Sequence, residues 1–587
     1  MDTTSTPDAS TDPEQAARAA AQALDSRFHA AAAPLWGGLS PISLALAFTD
    51  WALHLATQPA QAARLAAGAQ QAALQCWGQA LGGAPDDTRD PRFRHPAWQQ
   101  WPWAPMVHAQ HAAERWWADA TALRGMTAHH QEMTRFLARQ WLDMLSPANA
   151  GLAHPEVLQR TAERLGGNLV DGALNALDAW RRDQGLAPLR PPAQAYRPGV
   201  EVAVTPGRVV HRNALSELIQ YLPLTANVQA EPVFIVPSWI MKYYILDLSP
   251  HNSMVRWLVE QGHTVYILSW HNPDESDALL GLEDYLEQGV LDNLAAIGRL
   301  CGGQPVHAAG YCLGGTLLSI AAAALARPGG VAGGAALPPL ASVSLLAAET
   351  DFAEPGEMGV LIDESQVALI EDMMAERGFL SGRQMAGSFA YLHSRELVWS
   401  QRLRALWLGE ADAPSDLMAW NADTTRMPAV MHSEYLRRCY LRNELAEGRY
   451  PVQGRPVSLG DIRQPLFVVG TEQDHVSPWK SVYKIHRLVD GELSFVLTNA
   501  GHNAGIVSEP GHPRRHHALR TRAPGDPWVD PEHWADGAER REGSWWPTWQ
   551  AWLTAHGSGR RVKARTPPVE SVLCDAPGTY VHECHAD

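Results

Sequence analysis

Within HAAGYCLGGTLLSIAAAALA, residues 307–326, a single cysteine stands between glycines, after an apolar run and before a helix-like one. Gly310-Tyr311-Cys312-Leu313-Gly314 fits the pattern glycine-x-nucleophile-x-glycine, with cysteine where serine is usual. A nucleophile held on a sharp strand-to-helix turn needs small flanking residues, because side chains there would meet the adjoining strand and helix. The start of a helix also favours an anion through its dipole and free N–H groups. A buried, inert cysteine at a tight turn is the plain alternative for these five residues alone. Two more residues weigh against it. Asp474 ends the run PLFVVGTEQD and His502 follows LSFVLTNAG, so nucleophile, acid and histidine come in that order, each just past a strand-like run.

The expected division of labour follows from the side chains. His502 takes the proton of Cys312, and Asp474 orients the imidazole. An oxyanion hole needs two backbone donors, expected at Leu313 and in the turn after PVFIVPSW, near Ser238. His475 adjoins Asp474 and is the weaker candidate for the base, because it shares a turn with the acid it would have to face.

These residues need a scaffold, and the sequence outlines one. Six β-rich runs, PVFIVPSW, TVYILSW, PVHAAGYC, SVSLLAAE, PLFVVGTEQD and LSFVLTNAGH, begin at residues 232, 264, 305, 342, 465 and 493. Helix-like segments lie between the first three, NSMVRWLVEQGH and GLEDYLEQGVLDNLAAIGRLC. Such alternation indicates a mostly parallel sheet covered by helices, and near-continuous apolar strands indicate burial on both faces. With the order nucleophile, acid, histidine at strand ends, the expectation is an α/β-hydrolase fold. Residues 351–456 interrupt the alternation with helical texture and are expected to cap the site. Residues 1–12 are expected to be disordered; 13–199 form an Ala- and Trp-rich helical N-terminal domain with a Pro-rich closing linker; 200–587 form the catalytic domain. The tryptophans near residues 98–117 suit core or interdomain packing, or a surface that meets another apolar body. Trp545, Trp549 and Trp552 are spaced as on a closing helix that packs on the core.

Composition narrows the classes. A net charge of −16 argues against nucleic acid as a main partner. Six cysteines in 587 residues are too few for a disulfide scaffold. The acidic, polar N-terminus lacks the pattern of a signal peptide, and no uncharged apolar run is long enough to span a membrane. A cytoplasmic protein is expected. In the final YVHECHAD, closely spaced His582, Cys584 and His585 suggest metal binding, against which a disordered tail is the preferred expectation.

Several blocks together resemble the class I polyhydroxyalkanoate synthases: LSPAN, the long YYILDLSPHNSMVRWLVEQGHTVYILSWHNPD, GYCLGGT, WNADTTRMP, YLRNEL, DHVSPW, AGHNAG and GSWWPTW. The resemblance covers about residues 85–555. It implies polymerisation of (R)-3-hydroxyacyl-CoA, for instance 3-hydroxybutyryl-CoA, with release of CoA and with Cys312 as the acylated residue. It leaves open whether Asp474 orients His502 or activates the substrate's 3-hydroxyl, and it implies a structural role for Asp247. It further implies a homodimer on polymer granules, with the N-terminal helices assisting granule or dimer contact. No metal or organic cofactor is expected, since the thioester already supplies activation. Two departures stand out: AGHNAG carries Asn503 where isoleucine is expected, and PAVMHSE replaces a more aromatic stretch in the cap. A cysteine thioesterase or esterase on the same scaffold is the enzymatic alternative, and a granule-associated scaffold protein with a vestigial site is the non-enzymatic one.

Overall fold

The computed structural model describes residues 13–81, 90–190, 194–334, 337–410 and 414–584. The N-terminal segment expected to be disordered, residues 1–12, lies outside them, as does His585. The centre is an eleven-stranded sheet whose members, in chain order, are β1 (Gly207–Arg212), β2 (Ser216–Tyr221), β3 (Val233–Val236), β4 (Val265–Trp270), β5 (Val306–Tyr311), β6 (Leu340–Leu346), β7 (Leu466–Thr471), β8 (Leu493–Thr498), β9 (His516–Arg522), β10 (Glu539–Glu542) and β11 (Cys574–Asp575). Their spatial order is β10-β9-β8-β7-β6-β5-β3-β4-β2-β1-β11. The six from β8 to β4 are mutually parallel, and the outer ones pair antiparallel. The parallel six coincide with the six apolar runs, because strands covered on both faces need apolar side chains throughout.

Helices complete both faces. Met254–Glu260 and Asp292–Leu300 fill the first crossovers, and Leu313–Ala326 follows β5 directly. This last helix, called the elbow helix below, is almost wholly buried, and its run of alanines lets it press on the sheet. The opposite core takes the closing helix Trp546–Ala555, where Trp549 is fully buried and its Nε1 donates to Ser344 Oγ at 2.9 Å. Asp247 is buried between Leu246 and Leu248 of that core, accepting from Thr205 Oγ1 at 2.5 Å and Ser253 Oγ at 2.7 Å, which fits a structural part.

Before the sheet, the described residues form seven α-helices: α1 (Pro13–Ala32), α2 (Pro41–Ala56), α3 (Pro59–Ala80), α4 (Ala104–Thr121), α5 (Ala128–Met144), α6 (Pro155–Glu163) and α7 (Gly167–Asp183). Side chains of Ser40 and Thr127 cap α2 and α5, and prolines start α2, α3 and α6. These helices bind the insertion after β6 more than the sheet itself. Ser26 and His29 on α1 hydrogen-bond Asp372 at 2.6 and 2.7 Å. Arg395 reaches Asp143 on α5 at 2.6 Å, and α7 presses Gly172 so closely on the Leu406 carbonyl that no Cβ would fit. Among the tryptophans, Trp98 is buried in a small local core, whereas Trp77 and Trp101 are 70% and 74% exposed. Within residues 98–117, then, Trp98 packs locally while Trp101 lies at the surface. No single helix among the described residues is long and apolar enough to cross a membrane.

The insertion itself is mainly helical, Glu364–Met374, Gly382–Leu392, Asp416–Asn421 and Ala429–Tyr435, with two short strand pairs. The disordered tail expected at the C-terminus is corrected for residues 580–584. Tyr580–His582 form a helical turn, and Lys242 Nζ donates to the carbonyls of Tyr580 and Glu583 at 2.9 and 3.0 Å. Glu583 meets His271 Nδ1 at 2.7 Å. The tail is ordered because it satisfies polar groups that the sheet edge leaves buried.

Candidate active site

Cys312 joins β5 to the elbow helix with φ 53° and ψ −127°, a conformation strained for a side-chain-bearing residue. Its N–H donates to the Leu346 carbonyl at 2.9 Å, which anchors the turn to β6. The flanking glycines answer to space rather than to φ. A Cβ on Gly314 would run into the Val236 carbonyl oxygen and stand 2.5 Å from that of Pro237; one on Gly310 would stand 2.7 Å from the Gly314 carbonyl oxygen. Gly315, which the motif does not specify, is equally constrained, with the Gly310 carbonyl oxygen 2.9 Å from its Cβ position. The helix start is thereby pressed against the turn after β3.

Asp474 and His502 follow β7 and β8, as the sequence order requires. Asp474 Oδ2 accepts from His502 Nδ1 at 2.8 Å and from Thr471 Oγ1 at 2.7 Å, and Oδ1 accepts from the amides of Val476 and Ser477 at 2.9 and 2.8 Å. Burial alone would raise this carboxyl's pKa, but the charge and hydrogen bond of His502, the Ser477 amide and the Thr471 hydroxyl hold it below the ordinary carboxylate range. His502 is held oppositely. Burial would lower its pKa, yet Asp474 and then Cys312, through charge and side-chain hydrogen bonds, raise it well above the ordinary value. The structure thus brings all three predicted side chains together. His475 is exposed, with its ring against His393 at 5.4 Å between centroids, turned to another neighbour than Asp474.

Of the two expected oxyanion positions, Leu313 follows Cys312 directly, and Ser238 lies in the turn after β3, on which Gly314 is pressed. Leu313 is the first residue of the elbow helix, so no carbonyl a turn earlier can accept its N–H. Ser238 is buried just past β3, where its Oγ accepts from Ile240 N–H at 3.5 Å; Pro237, pressed on Gly314, accepts from Trp270 Nε1 at 2.9 Å. Asn503 has a clear place: its Oδ1 accepts from the Tyr311 hydroxyl at 2.6 Å, tying the residue before the cysteine to the residue after the histidine.

Cys312, 9% exposed, opens into a cavity of about 50 Å³. Its walls come from the elbow helix, from the end of β6 and from the insertion, through Met358, Met385, Met427 and Tyr440 among others. Among its polar side chains, two that were not anticipated have a buried atom without a hydrogen-bond partner among the described residues. His432 comes from the unusual PAVMHSE stretch; burial lowers its pKa to about 4, and its Nδ1 is buried without a partner among the described residues. Glu349 closes the run SVSLLAAE, where an acid after a parallel strand reads as a turn residue. The available signal was its position at the edge of the sheet where ligands bind.

Fold and geometry together define an α/β-hydrolase-type protein with a cysteine at the elbow and a capping insertion. The family described as the alpha/beta hydrolase fold matches residues 231–509. Those described as the poly-beta-hydroxybutyrate polymerase (PhaC) N-terminus and the poly-beta-hydroxybutyrate polymerase N terminal match residues 89–258 and 19–61. The chain is 38% identical to the poly(3-hydroxyalkanoate) polymerase of Methylorubrum extorquens, covering 84% of this chain and 80% of that one. Against the poly(3-hydroxyalkanoate) polymerase subunits PhaC of Rhizobium etli and Cupriavidus necator the identity is 35% and 37%, over 86% and 77% of this chain and 78% and 76% of theirs. The chain belongs to the poly(3-hydroxyalkanoate) polymerase family and is an enzyme, a transferase.

Proposed function

We propose that this enzyme polymerises short-chain (R)-3-hydroxyacyl-CoA, such as 3-hydroxybutyryl-CoA, through a thioester on Cys312, with Asp474 and His502 completing the catalytic set. The observation that carries this is the strained cysteine beside a hydrogen-bonded His–Asp pair at a mainly apolar cavity. His502 takes the thiol proton as the sulfur attacks the thioester carbonyl. The bond between that carbonyl and the CoA sulfur breaks, and the leaving thiolate collects the proton from His502. Next, the 3-hydroxyl of another acyl unit gives its proton to His502 and attacks the Cys312 thioester. An ester forms, the carbon–sulfur bond breaks, and the cysteine sulfur is reprotonated. The backbone N–H groups of Leu313 and of the turn at Ser238 would hold the carbonyl oxygen in both steps.

The full set of hydrogen bonds on Asp474 supports the orienting role over direct activation of a hydroxyl, because both carboxylate oxygens are already engaged and its side chain is fully buried. Thioester exchange conserves the activation of the acyl group, so the chemistry favours transfer wherever water is excluded. The size of the cavity supports a short acyl group. On this reading the cap, residues about 351–456, parts to admit a CoA thioester to the thiol. The same reading takes residues 200–587 as the catalytic domain and residues 13–199 as the part that contacts a cytoplasmic polymer granule or the other subunit of a homodimer. Its support is the exposed apolar side chains Leu46, Phe48, Leu53, Leu74 and Trp77 on α2 and α3.

Purified enzyme with (R)-3-hydroxybutyryl-CoA tests the proposal. CoA release with growing turbidity is expected, and Cys312→Ala should abolish both. Release accompanied only by free acid would make it a thioesterase, and no release would make it a scaffold protein.

A further inference from the structure

The mechanism above leaves one buried carboxyl in the cavity unused. Glu349 follows β6, and its backbone carbonyl accepts from Thr316 Oγ1 at 2.7 Å, fixing it to the first turn of the elbow helix. The residue is 4% exposed and shares the cavity with Cys312. Its side chain is engaged with nothing there: Oε1 is buried and has no hydrogen-bond partner among the described residues. Lys484, whose charge reaches it, is paired instead with Glu354 at 2.8 Å. Burial, then Asp474 and Cys312, push the carboxyl well above its ordinary pKa, while His502 and Lys484 oppose this. A carboxyl that holds its proton has one O–H donor and one carbonyl acceptor to offer. Phe352, Met358, Met385 and Met427 make the neighbouring walls mainly apolar, and the hydroxyls of Tyr435 and Tyr440, which also line the cavity, are engaged with each other. A buried polar group in that state gains from a ligand that brings a matching polar atom.

An acyl group on Cys312 brings two polar atoms. The carbonyl oxygen is directed to the backbone donors around Leu313. The remaining one is the 3-oxygen, two carbons further on. We infer that Glu349 recognises the 3-hydroxyl of the acyl group carried by Cys312, and so sets the preference for 3-hydroxyacyl over unsubstituted acyl thioesters. The inference rests on the synthase reading above. His432 is the other side chain of the cavity with an unpartnered polar atom, but it comes from the insertion helix Ala429–Tyr435, whereas Glu349 is tied through Thr316 to the first turn of the helix that begins beside Cys312.

The test is acylation of full-length enzyme under single-turnover conditions, enzyme in excess, with (R)-3-hydroxybutyryl-CoA and with butyryl-CoA. CoA release gives the rate and intact mass gives the adduct on Cys312. Wild type should prefer the hydroxylated thioester by about tenfold or more. Glu349→Gln, which keeps a donor and an acceptor, should retain most of that preference. Glu349→Leu should bring the two rates to within about threefold by slowing the hydroxylated substrate alone. Leucine suits the apolar surroundings, and the wild-type ratio needs no variant. A wild-type ratio near one, or a preference that survives in Glu349→Leu, overturns the inference. No adduct with either thioester in wild type overturns the synthase reading and the inference with it.

Discussion

Asp474 and His502 titrate against each other, and the signs of their shifts fix when the pair stabilises the fold. His502 is held well above its ordinary value. Its contribution is complete below about pH 6.5, the value in an unfolded chain, and is lost as pH rises through the folded value. Asp474 is held low, so its contribution is present above about pH 3.9 and is lost as pH falls through the folded value. Both contributions are complete between about pH 4 and 6.5. Breaking a buried pair costs roughly 3–5 kcal/mol. The melting temperature of Asp474→Asn should therefore lie furthest below wild type near about pH 5, with the gap narrowing toward about pH 9. A gap that stays constant across that range would mean the pair is not charged in the fold. At this scale the sequence showed the cysteine, the acid and the histidine, because each sits where a parallel strand ends. It did not show Glu349 as part of the site, because an acid after a strand looks the same whether it caps a turn or faces a cavity.

The strand–turn–helix element owes its shape to excluded volume. Gly314 meets backbone of the turn after β3, which cannot swing aside as a flexible side chain would. Gly314→Ala should cost about 2 kcal/mol or more in denaturant unfolding and displace the helix start that carries the Leu313 amide. Gly387 provides the contrast. It lies on the exposed face of the cap helix Gly382–Leu392, with nothing near its Cβ position. Gly387→Ala should leave stability unchanged or raise it by up to about 1 kcal/mol. Equal effects at the two sites would refute the steric account of the elbow. Among the strands, the six buried parallel ones were legible as apolar runs. The outer ones were not. β1, β9 and β10 read GRVVHR, HHALRTR and ERRE, with charges that partly face solvent. β2 is buried throughout yet carries Glu217 and Gln220, most of whose partners are far away in sequence.

Those distant partners make the C-terminus part of the whole molecule. Glu217, whose side chain is fully buried, accepts from Thr579 Oγ1 at 2.7 Å and from the amides of Thr579 and Tyr580 at 2.9 and 3.1 Å, alongside Arg212 at 2.5 Å. Ending the chain after Gly578 strips these donors from a buried carboxylate. The expected loss is about 2 kcal/mol or more, read as a lower melting temperature, and Glu217→Gln in the shortened chain should recover part of it. An unchanged melting temperature would mean the tail is dispensable. At the other end, the N-terminal helices grip the cap through Asp372, Asp143 and Leu406, so opening the cavity must carry or release them. Their outer surface is a separate question. Replacing Leu46, Phe48 and Leu53 together by serine should change stability by no more than about 0.5 kcal/mol per site, while reducing the fraction of enzyme that sediments with polymer particles. Undiminished sedimentation would remove this surface from the granule contact.

Periodicity, strand-end positions and the glycine fence are local properties, so the sequence alone carried the parallel sheet, the elbow and the order of the three site residues. The tertiary structure decided what depends on partners far along the chain: the polar edge strands, the ordered tail that serves Glu217, the grip of the N-terminal helices on the cap, and the cavity that leaves Glu349 unpaired beside Cys312. The physical reason is that apolar burial writes a pattern into consecutive residues, whereas the pairing of a buried polar group is settled only when folding brings its partner, or no partner, to it.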